Sequence, residues 1–244
     1  MSTQTLLIVI PARYASSRFP GKPLADIHGK PMIQHVYDRC IAAQPDAQVL
    51  VATDDMRIES VVRSFGGEVV MTPESLQSGS ERAAWVARDL PHSIVVNVQG
   101  DEPLLPAETL DAAIAPLLAD PEVDIGTAAC ALDAPADVAD PNVVKVVMDG
   151  RGRAMYFSRA PIPHVRDADA AEAPWFRHVG IYAFRREALL RFAALPQGRL
   201  ELLEKLEQLR ALEHGMSIGV GITTQLSQAV DTPADLERVR AMCL

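Results

Sequence analysis

A chain of 244 residues, 48% hydrophobic and 23% charged, carries enough apolar material for one compact domain with a real core. Its formal net charge of −9 would repel a phosphate backbone, which argues against polymer nucleic acid as a partner and makes any phosphate handling local. Cys40, Cys130 and Cys243 lie far apart with no CxxC pair, so neither a disulfide framework nor a zinc knuckle is indicated and a reducing compartment fits.

Taken in chain order, the apolar run 6–10 reads as a strand. It is too short for a secretory core or a membrane span and runs directly into Pro11 and Arg13, so a cytoplasmic protein with no membrane partner is expected. A helix follows over 32–43 after Pro31, then a strand over 49–53 and a helix over 56–65 closing at Gly66-Gly67. A strand over 68–71, a helix over 81–90 before Pro91, a strand over 94–98, a helix over 107–118 and a strand over 125–129 continue the alternation. Strands that are apolar throughout, with helices between them, require a parallel sheet covered on both faces. The expected fold is therefore a Rossmann-like three-layer α/β sandwich.

From Val143 the pattern changes to closer-spaced strand-like runs, with Gly150 and Gly152 as a hairpin signal, and then to a proline- and alanine-rich loop through Pro174. Residues 143–200 are expected to form an inserted α+β subdomain within a single domain spanning 1–244. One long helix over 200–214 ending at Gly215, a strand over 217–222 and a last helix opened by Asp231-Thr232-Pro233 complete the chain.

The loop after the first strand carries Arg13, Arg18 and Lys22 among small residues, at the end of a strand where α/β proteins bind ligands. Neither GxxxxGK[ST] nor GxGxxG is present. The two guanidinium forks and the mobile ammonium match the oxygens of a triphosphate, although a solvated basic loop has the same composition. Asp101 follows the strand over 94–98, where Gly100 lets the backbone turn sharply. An acid there can hold magnesium against phosphate, or simply cap a turn before Pro103. Asp231 is equally a helix cap by its Asp-Thr-Pro context, yet Thr232 can cap in its place with Pro233 at the first helical position.

The basic loop and Gly29-Lys30-Pro31-Met32-Ile33 resemble the opening of the 3-deoxy-manno-octulosonate (Kdo) cytidylyltransferase family. The resemblance extends over nearly the whole chain through Val51-Ala52-Thr53-Asp54, Gln77-Ser78-Gly79-Ser80-Glu81-Arg82, Asn97-Val98-Gln99-Gly100-Asp101-Glu102-Pro103, Tyr156-Phe157-Ser158-Arg159, Arg177-His178-Val179-Gly180-Ile181-Tyr182, Leu206-Glu207-Gln208-Leu209-Arg210 and Val230-Asp231-Thr232-Pro233. It implies a fold of the nucleotide-diphospho-sugar transferase type and transfer of CMP from CTP to the anomeric hydroxyl of Kdo, with release of pyrophosphate, for lipopolysaccharide synthesis. By resemblance, Arg13, Arg18, Lys22 and Asp101 are catalytic, and Asp101 and Asp231 hold Mg2+. Arg13, Lys22, Ser78, Arg82 and Gln99 would bind the nucleotide, while Arg159, His178, Tyr182, Glu207 and Gln208 would bind the sugar. The segment 143–200 would take part in acceptor binding and in a homodimer.

Ser17 and Ser80 stand where the resemblance leads to threonine, each keeping the hydroxyl, and His164 replaces an expected tryptophan at the mouth of the sugar pocket. A sialic-acid cytidylyltransferase is the nearest rival, opposed by the Phe-Ser-Arg and Leu-Glu-Gln-Leu-Arg blocks. A retaining glycosyltransferase would need a DxD-type metal motif at Asp101, where Glu102-Pro103 follows instead. A nucleotide sensor without catalysis would have no need of both Asp101 and Lys22.

Overall fold

The structure is a computed structural model and describes residues 5–15, 19–132, 134–166 and 175–242. The first strand, β1 (Leu6–Ala12), lies in the middle of the main sheet, and Leu7, Ile8, Val9 and Ile10 are fully buried on both faces. After it come a short 3-10 turn at Lys22–Leu24, the two-residue strands β2 (Asp26–Ile27) and β3 (Lys30–Pro31), and helix α1 (Met32–Ala43). The alternation continues with β4 (Gln48–Thr53), α2 (Met56–Ser64), β5 (Val69–Met71), α3 (Gly79–Ala87), β6 (Ile94–Asn97), α4 (Ala107–Ala119) and β7 (Ile125–Leu132). A short helix α5 (Pro135–Ala139) leads to the hairpin β8 (Lys145–Met148) and β9 (Ala154–Ser158). The chain ends with β10 (Trp175–Arg185), α6 (Arg186–Ala194), α7 (Arg199–Glu204), α8 (Gln208–Glu213), β11 (Ile218–Ile222) and α9 (Pro233–Met242).

The strand order is β11-β7-β10-β6-β1-β4-β5, parallel except for β10, which is antiparallel to both its neighbours. Alternate residues of β1 enter two separate cores. Ile8 and Ile10 meet Ile33 and Val36 of α1, Ile58 of α2 and Leu110 of α4, whereas Leu7 and Val9 meet Ala83 of α3, Leu189 and Phe192 of α6 and Leu209 of α8. Each such aliphatic side chain contributes about 1.5–3 kcal/mol on burial, so the two cores hold three layers together. The expected mostly parallel three-layer α/β sandwich is the observed one.

Two expectations change. The segment 143–200 does not stand apart as a whole, because its longest strand, β10, runs between β6 and β7 in the main sheet. A register shift between Val179 and Tyr182 lets the first half of β10 carry the β8–β9 hairpin while the second half pairs with β6. The single helix expected over 200–214 is two helices, broken at Lys205, whose φ of 54° is left-handed. In one straight helix Glu201 and Arg210 would lie about 13 Å apart along the axis. The break folds α8 back so that Arg210 Nε and Nη2 donate to the two oxygens of Glu201 at 2.8 and 2.6 Å, both side chains being nearly inaccessible. Smaller differences sit at element ends, as where α3 begins at Gly79 because Ser78 caps it.

Candidate active site

The parallel strands bring their carboxyl ends to one edge, and the turns leaving β1 and β6 line a cleft of about 400 Å³ there together with Asp231, beyond β11. Gly100 is required at this edge because a Cβ on it would stand 2.7 Å from the carbonyl oxygen of Pro11. Gly21, at φ 73°, donates its N–H to the carbonyl of Tyr14 at 2.8 Å and closes the basic loop, which sets Lys22 at the start of the 3-10 turn facing the cleft.

Lys22 is the centre of the site. Its Nζ donates to Asp101 Oδ2 at 2.5 Å, to the carbonyl of Val230 at 3.0 Å and to Asp231 Oδ1 at 3.3 Å. The Val230 N–H in turn donates to the Asp101 carbonyl at 2.9 Å, which ties the two acidic segments backbone to backbone. Two carboxylates held this close repel each other, and the shared ammonium offsets that repulsion. The cap question at Asp231 is answered by its neighbours. Asp235 N–H donates to Thr232 Oγ1 at 3.3 Å and Thr232 N–H donates to Asp235 Oδ2 at 2.7 Å, so Thr232 and Asp235 cap α9 reciprocally while the Asp231 carboxylate turns to Lys22.

Arg13, Arg82 and Gln99 also line the cleft. Arg13 Nη2 is buried without a hydrogen-bond partner, and burial, then the neighbouring Arg82 guanidinium, lower its pKa. A buried guanidinium nitrogen beside a second cation is a place for an anion. Arg82 is fully buried, donating to Thr72 Oγ1 and to the Asp54 carboxylate, so it stiffens the cleft wall more than it offers donors to the opening. Ser78 is not among the lining residues, and its hydroxyl accepts from Glu81 N–H at 3.2 Å as the helix cap, while Gln77 and Gly79 on either side face the cleft. Arg18 lies outside the described residues.

The acceptor candidates form a second group, on the α3–α6–α8 side of the sheet. Tyr182, Glu207 and Gln208 line a small cavity with Ser80, and Glu207 Oε1 and Gln208 Nε2 are buried there without hydrogen-bond partners. His178 packs edge-on to Phe157, with centroids 4.9 Å apart, and its Nε2 lies 2.9 Å from Thr127 Oγ1. Thr127 directs its one proton to a backbone carbonyl, that of Ile181 at 2.7 Å, so it accepts from His178 and the imidazole is the neutral Nε2–H tautomer. Burial pushes the His178 pKa down to about 3. Burial, and then the nearby Glu207, raise the Tyr182 phenol above its ordinary value. Arg159 stands apart at the end of α7, its Nε donating to the Glu204 carbonyl at 2.7 Å and its Nη1 to the Pro141 carbonyl at 2.9 Å.

Residue-by-residue reading passed over Lys145, Glu204 and Asn97. Lys145 is fully buried and donates to the carbonyls of Val143, Asp140 and Arg159, and Glu204 accepts from the Arg159 N–H and the Ser158 hydroxyl. Nothing in their local sequence marks them, because their partners, backbone carbonyls for Lys145, the Arg159 N–H and the Ser158 hydroxyl for Glu204 and the Ser80 hydroxyl for Asn97, are brought close by the fold.

The carboxylate pair fits magnesium on its chemistry. It offers hard oxygen donors on one side and an open cleft on the other, and magnesium is satisfied by one or two carboxylates with phosphate and water oxygens. Among the described residues no group of three or more His, Cys, Asp or Glu side chains is arranged to hold a metal, so the remaining donors would come from substrate and solvent.

A mostly parallel α/β sandwich with cations and a carboxylate pair at the carboxyl edge of its strands defines a nucleotidyltransferase-like protein. A family model described as cytidylyltransferase matches residues 7–218. The 3-deoxy-manno-octulosonate cytidylyltransferase of Syntrophotalea carbinolica is 54% identical, with 97% of this chain and 98% of that protein covered. That of Geobacter sulfurreducens is 51% identical over 95% and 96%. A solved structure of CMP:2-keto-3-deoxy-manno-octonic acid synthetase complexed with CTP superposes with a TM-score of 0.93 at 44% identity, covering 98% of each chain. The chain belongs to the 3-deoxy-manno-octulosonate cytidylyltransferase family.

Proposed function

We propose that this chain transfers CMP from CTP to the anomeric hydroxyl of Kdo, giving CMP-Kdo and pyrophosphate. The observation that carries the reading is the Lys22 ammonium bridging Asp101 and Asp231 on the floor of a cleft that also presents Arg13. The relatives' names and the CTP complex of the 44% identical protein support the choice of substrates. In the reaction the acceptor oxygen bonds to the α-phosphorus, the bond from that phosphorus to the oxygen bridging to the β-phosphate breaks, and the hydroxyl proton is released. No covalent enzyme intermediate is needed, so the residues position and stabilise charge. Arg13 and Lys22 take phosphate oxygens, and Arg18 is assigned to the same task from its place in the sequence between them. Asp101 and Asp231 would hold magnesium, which supplies positive charge against the phosphates. Ser78, Arg82 and Gln99 are assigned to the nucleoside side.

Kdo carries one carboxylate and many hydroxyls, and the second group together with the separate Arg159 is assigned to them. Arg159 provides a guanidinium oriented by two carbonyls, Glu207 an acceptor, Gln208 a donor, and His178 and Tyr182 neutral groups. The product is an activated sugar for lipopolysaccharide synthesis, and the cytoplasm is the compartment we assign. Among the described residues no helix is long and apolar enough to cross a membrane.

We assign a homodimer to the 143–200 face. Support comes from an apolar groove lined by Val146, Met148, Tyr156 and Phe176, with Met155 65% exposed beside it. The purified protein is expected to sediment at twice 26.4 kDa and to release pyrophosphate only when CTP, Kdo and magnesium are present together, with UTP a poor substitute. Assay of each nucleoside triphosphate against a panel of sugar acids tests this. Equal turnover with sialic acid, or none with Kdo, overturns the substrate assignment, and a monomer overturns the assembly.

A further inference from the structure

Ser80 joins the two halves of the site. It lies in the first turn of α3, between Gly79 and Arg82, which both line the nucleotide cleft, yet its own side chain turns the other way and is 2% exposed. Its Oγ donates to Glu207 Oε2 at 2.9 Å, across 127 positions of sequence. The hydroxyl also receives a longer hydrogen bond, 3.4 Å, from Nδ2 of Asn97, the last residue of β6 and four positions before Asp101. A hydroxyl that accepts from an amide and donates to a carboxylate has both its position and its rotor fixed.

The carboxylate it holds is otherwise thinly supported. Glu207 stands at the start of α8, just beyond the left-handed break at Lys205, and its Oε1 is buried without a hydrogen-bond partner, with Arg210 Nη2 at 3.8 Å. The neighbouring Gln208 Nε2 is likewise buried and unpartnered. One acceptor and one donor thus stand side by side with hydrogen-bonding capacity to spare, which suits a sugar hydroxyl that both donates and accepts. The direction of the Glu207 carboxylate depends on Ser80, since Oε2 is the end that the hydroxyl holds and Oε1 the end left without a hydrogen-bond partner.

We propose that Ser80 is a positioning residue whose hydroxyl, steadied by Asn97, fixes the Glu207 carboxylate to receive the acceptor sugar in register with the nucleotide bound against the same helix turn. It touches neither substrate. Its effect passes through Glu207, and the proposal rests on the assignment of Glu207 to the acceptor.

The test is steady-state kinetics on the full-length protein with CTP, Kdo and magnesium. Ser80→Ala is expected to raise the Kdo KM by about tenfold, the loss associated with one hydrogen bond to a charged group, while the CTP KM stays within about twofold. Ser80→Thr keeps the hydroxyl, so the Kdo KM is expected to return to near the wild-type value. In a Glu207→Ala background, Ser80→Ala adds nothing further to the Kdo KM, because the group it acts through is gone. Equal rises in the two KM values, additive effects in the double variant, or no change in Ser80→Ala overturns the positioning role while leaving the activity standing. Wild-type protein that turns over CTP with a different sugar acid and not with Kdo overturns the acceptor assignment, and the role of Ser80 with it.

Discussion

Asp231 shows how one residue's chemistry is separated from its neighbours'. Its carboxylate reaches Lys22, while the work of starting α9 falls to Thr232 and Asp235. Asp231→Asn keeps the size and the hydrogen-bonding reach but removes the charge that magnesium needs. It is expected to leave the melting temperature within the small range of a surface change while lowering kcat by a hundredfold or more, on the order of 3 kcal/mol of barrier, and raising the magnesium requirement. Thr232→Ala should do the reverse, lowering stability by about 1 kcal/mol with activity following the folded fraction. Asp101→Asn is the control, since Asp101 is the other proposed ligand and takes no part in the α9 cap. Thermal melts and magnesium titrations of the three variants decide the matter, and near-normal turnover of Asp231→Asn at limiting magnesium returns Asp231 to a structural part. The sequence already contained this answer in outline, because Asp-Thr-Pro offers two residues able to cap and needs only one.

At the scale of elements, legibility followed burial. The run 6–10 and the helix over 32–43 were readable because β1 is buried on both faces and α1 places Ile33, Val36, Tyr37 and Cys40 against one core. The pairing of β10 was not readable, since periodicity marks a strand without marking its neighbours. The break at Lys205 was hidden as well. No Gly or Pro stands there, and the helix-like charges that follow are in fact turned inward. Burial works to raise the Glu201 carboxyl, but the Arg210 guanidinium and the Gly198 N–H that donate to it outweigh burial and hold it below its ordinary value. Removing one partner leaves a buried charge uncompensated, so Arg210→Met is expected to cost about 3–5 kcal/mol in urea unfolding. Replacing both, with Glu201→Met added, should recover more than half of that loss, because a buried ion pair and an apolar pair of similar volume are nearly equivalent once desolvation is counted. If the double variant is no more stable than the single one, the pair is holding the α7–α8 turn through geometry that methionines do not supply. The same inward turn brings Glu207 to Ser80, a contact that the local sequence of neither residue contains.

For the molecule as a whole, the sandwich sets the environment in which its groups titrate. His178 lies between Phe157 and Tyr182 at the sheet and is neutral, with burial holding its pKa at about 3 against an ordinary 6.5. The folded state therefore refuses a proton that the unfolded chain accepts below pH 6.5. Stability from this group is complete above 6.5 and is lost as pH falls from there toward the folded pKa, at up to about 1.4 kcal/mol per pH unit. Between pH 7 and pH 5 the loss amounts to about 2 kcal/mol. Other groups titrate over the same interval, so wild-type stability alone does not isolate the histidine. A difference does. Gln cannot take up a proton, and its side-chain amide can still donate toward Thr127. The stability difference between wild type and His178→Gln, measured by urea unfolding, is expected to shrink by about 2 kcal/mol from pH 7 to pH 5, with every other titration cancelling between the two proteins. A difference that stays constant with pH would mean that His178 takes up its proton in the folded state as readily as in the unfolded one. The imidazole would then meet an acceptor sugar as a cation near pH 6, and not as the neutral ring, its Nδ1 an acceptor, that the Nε2–H bond to Thr127 and the surrounding aromatic rings impose.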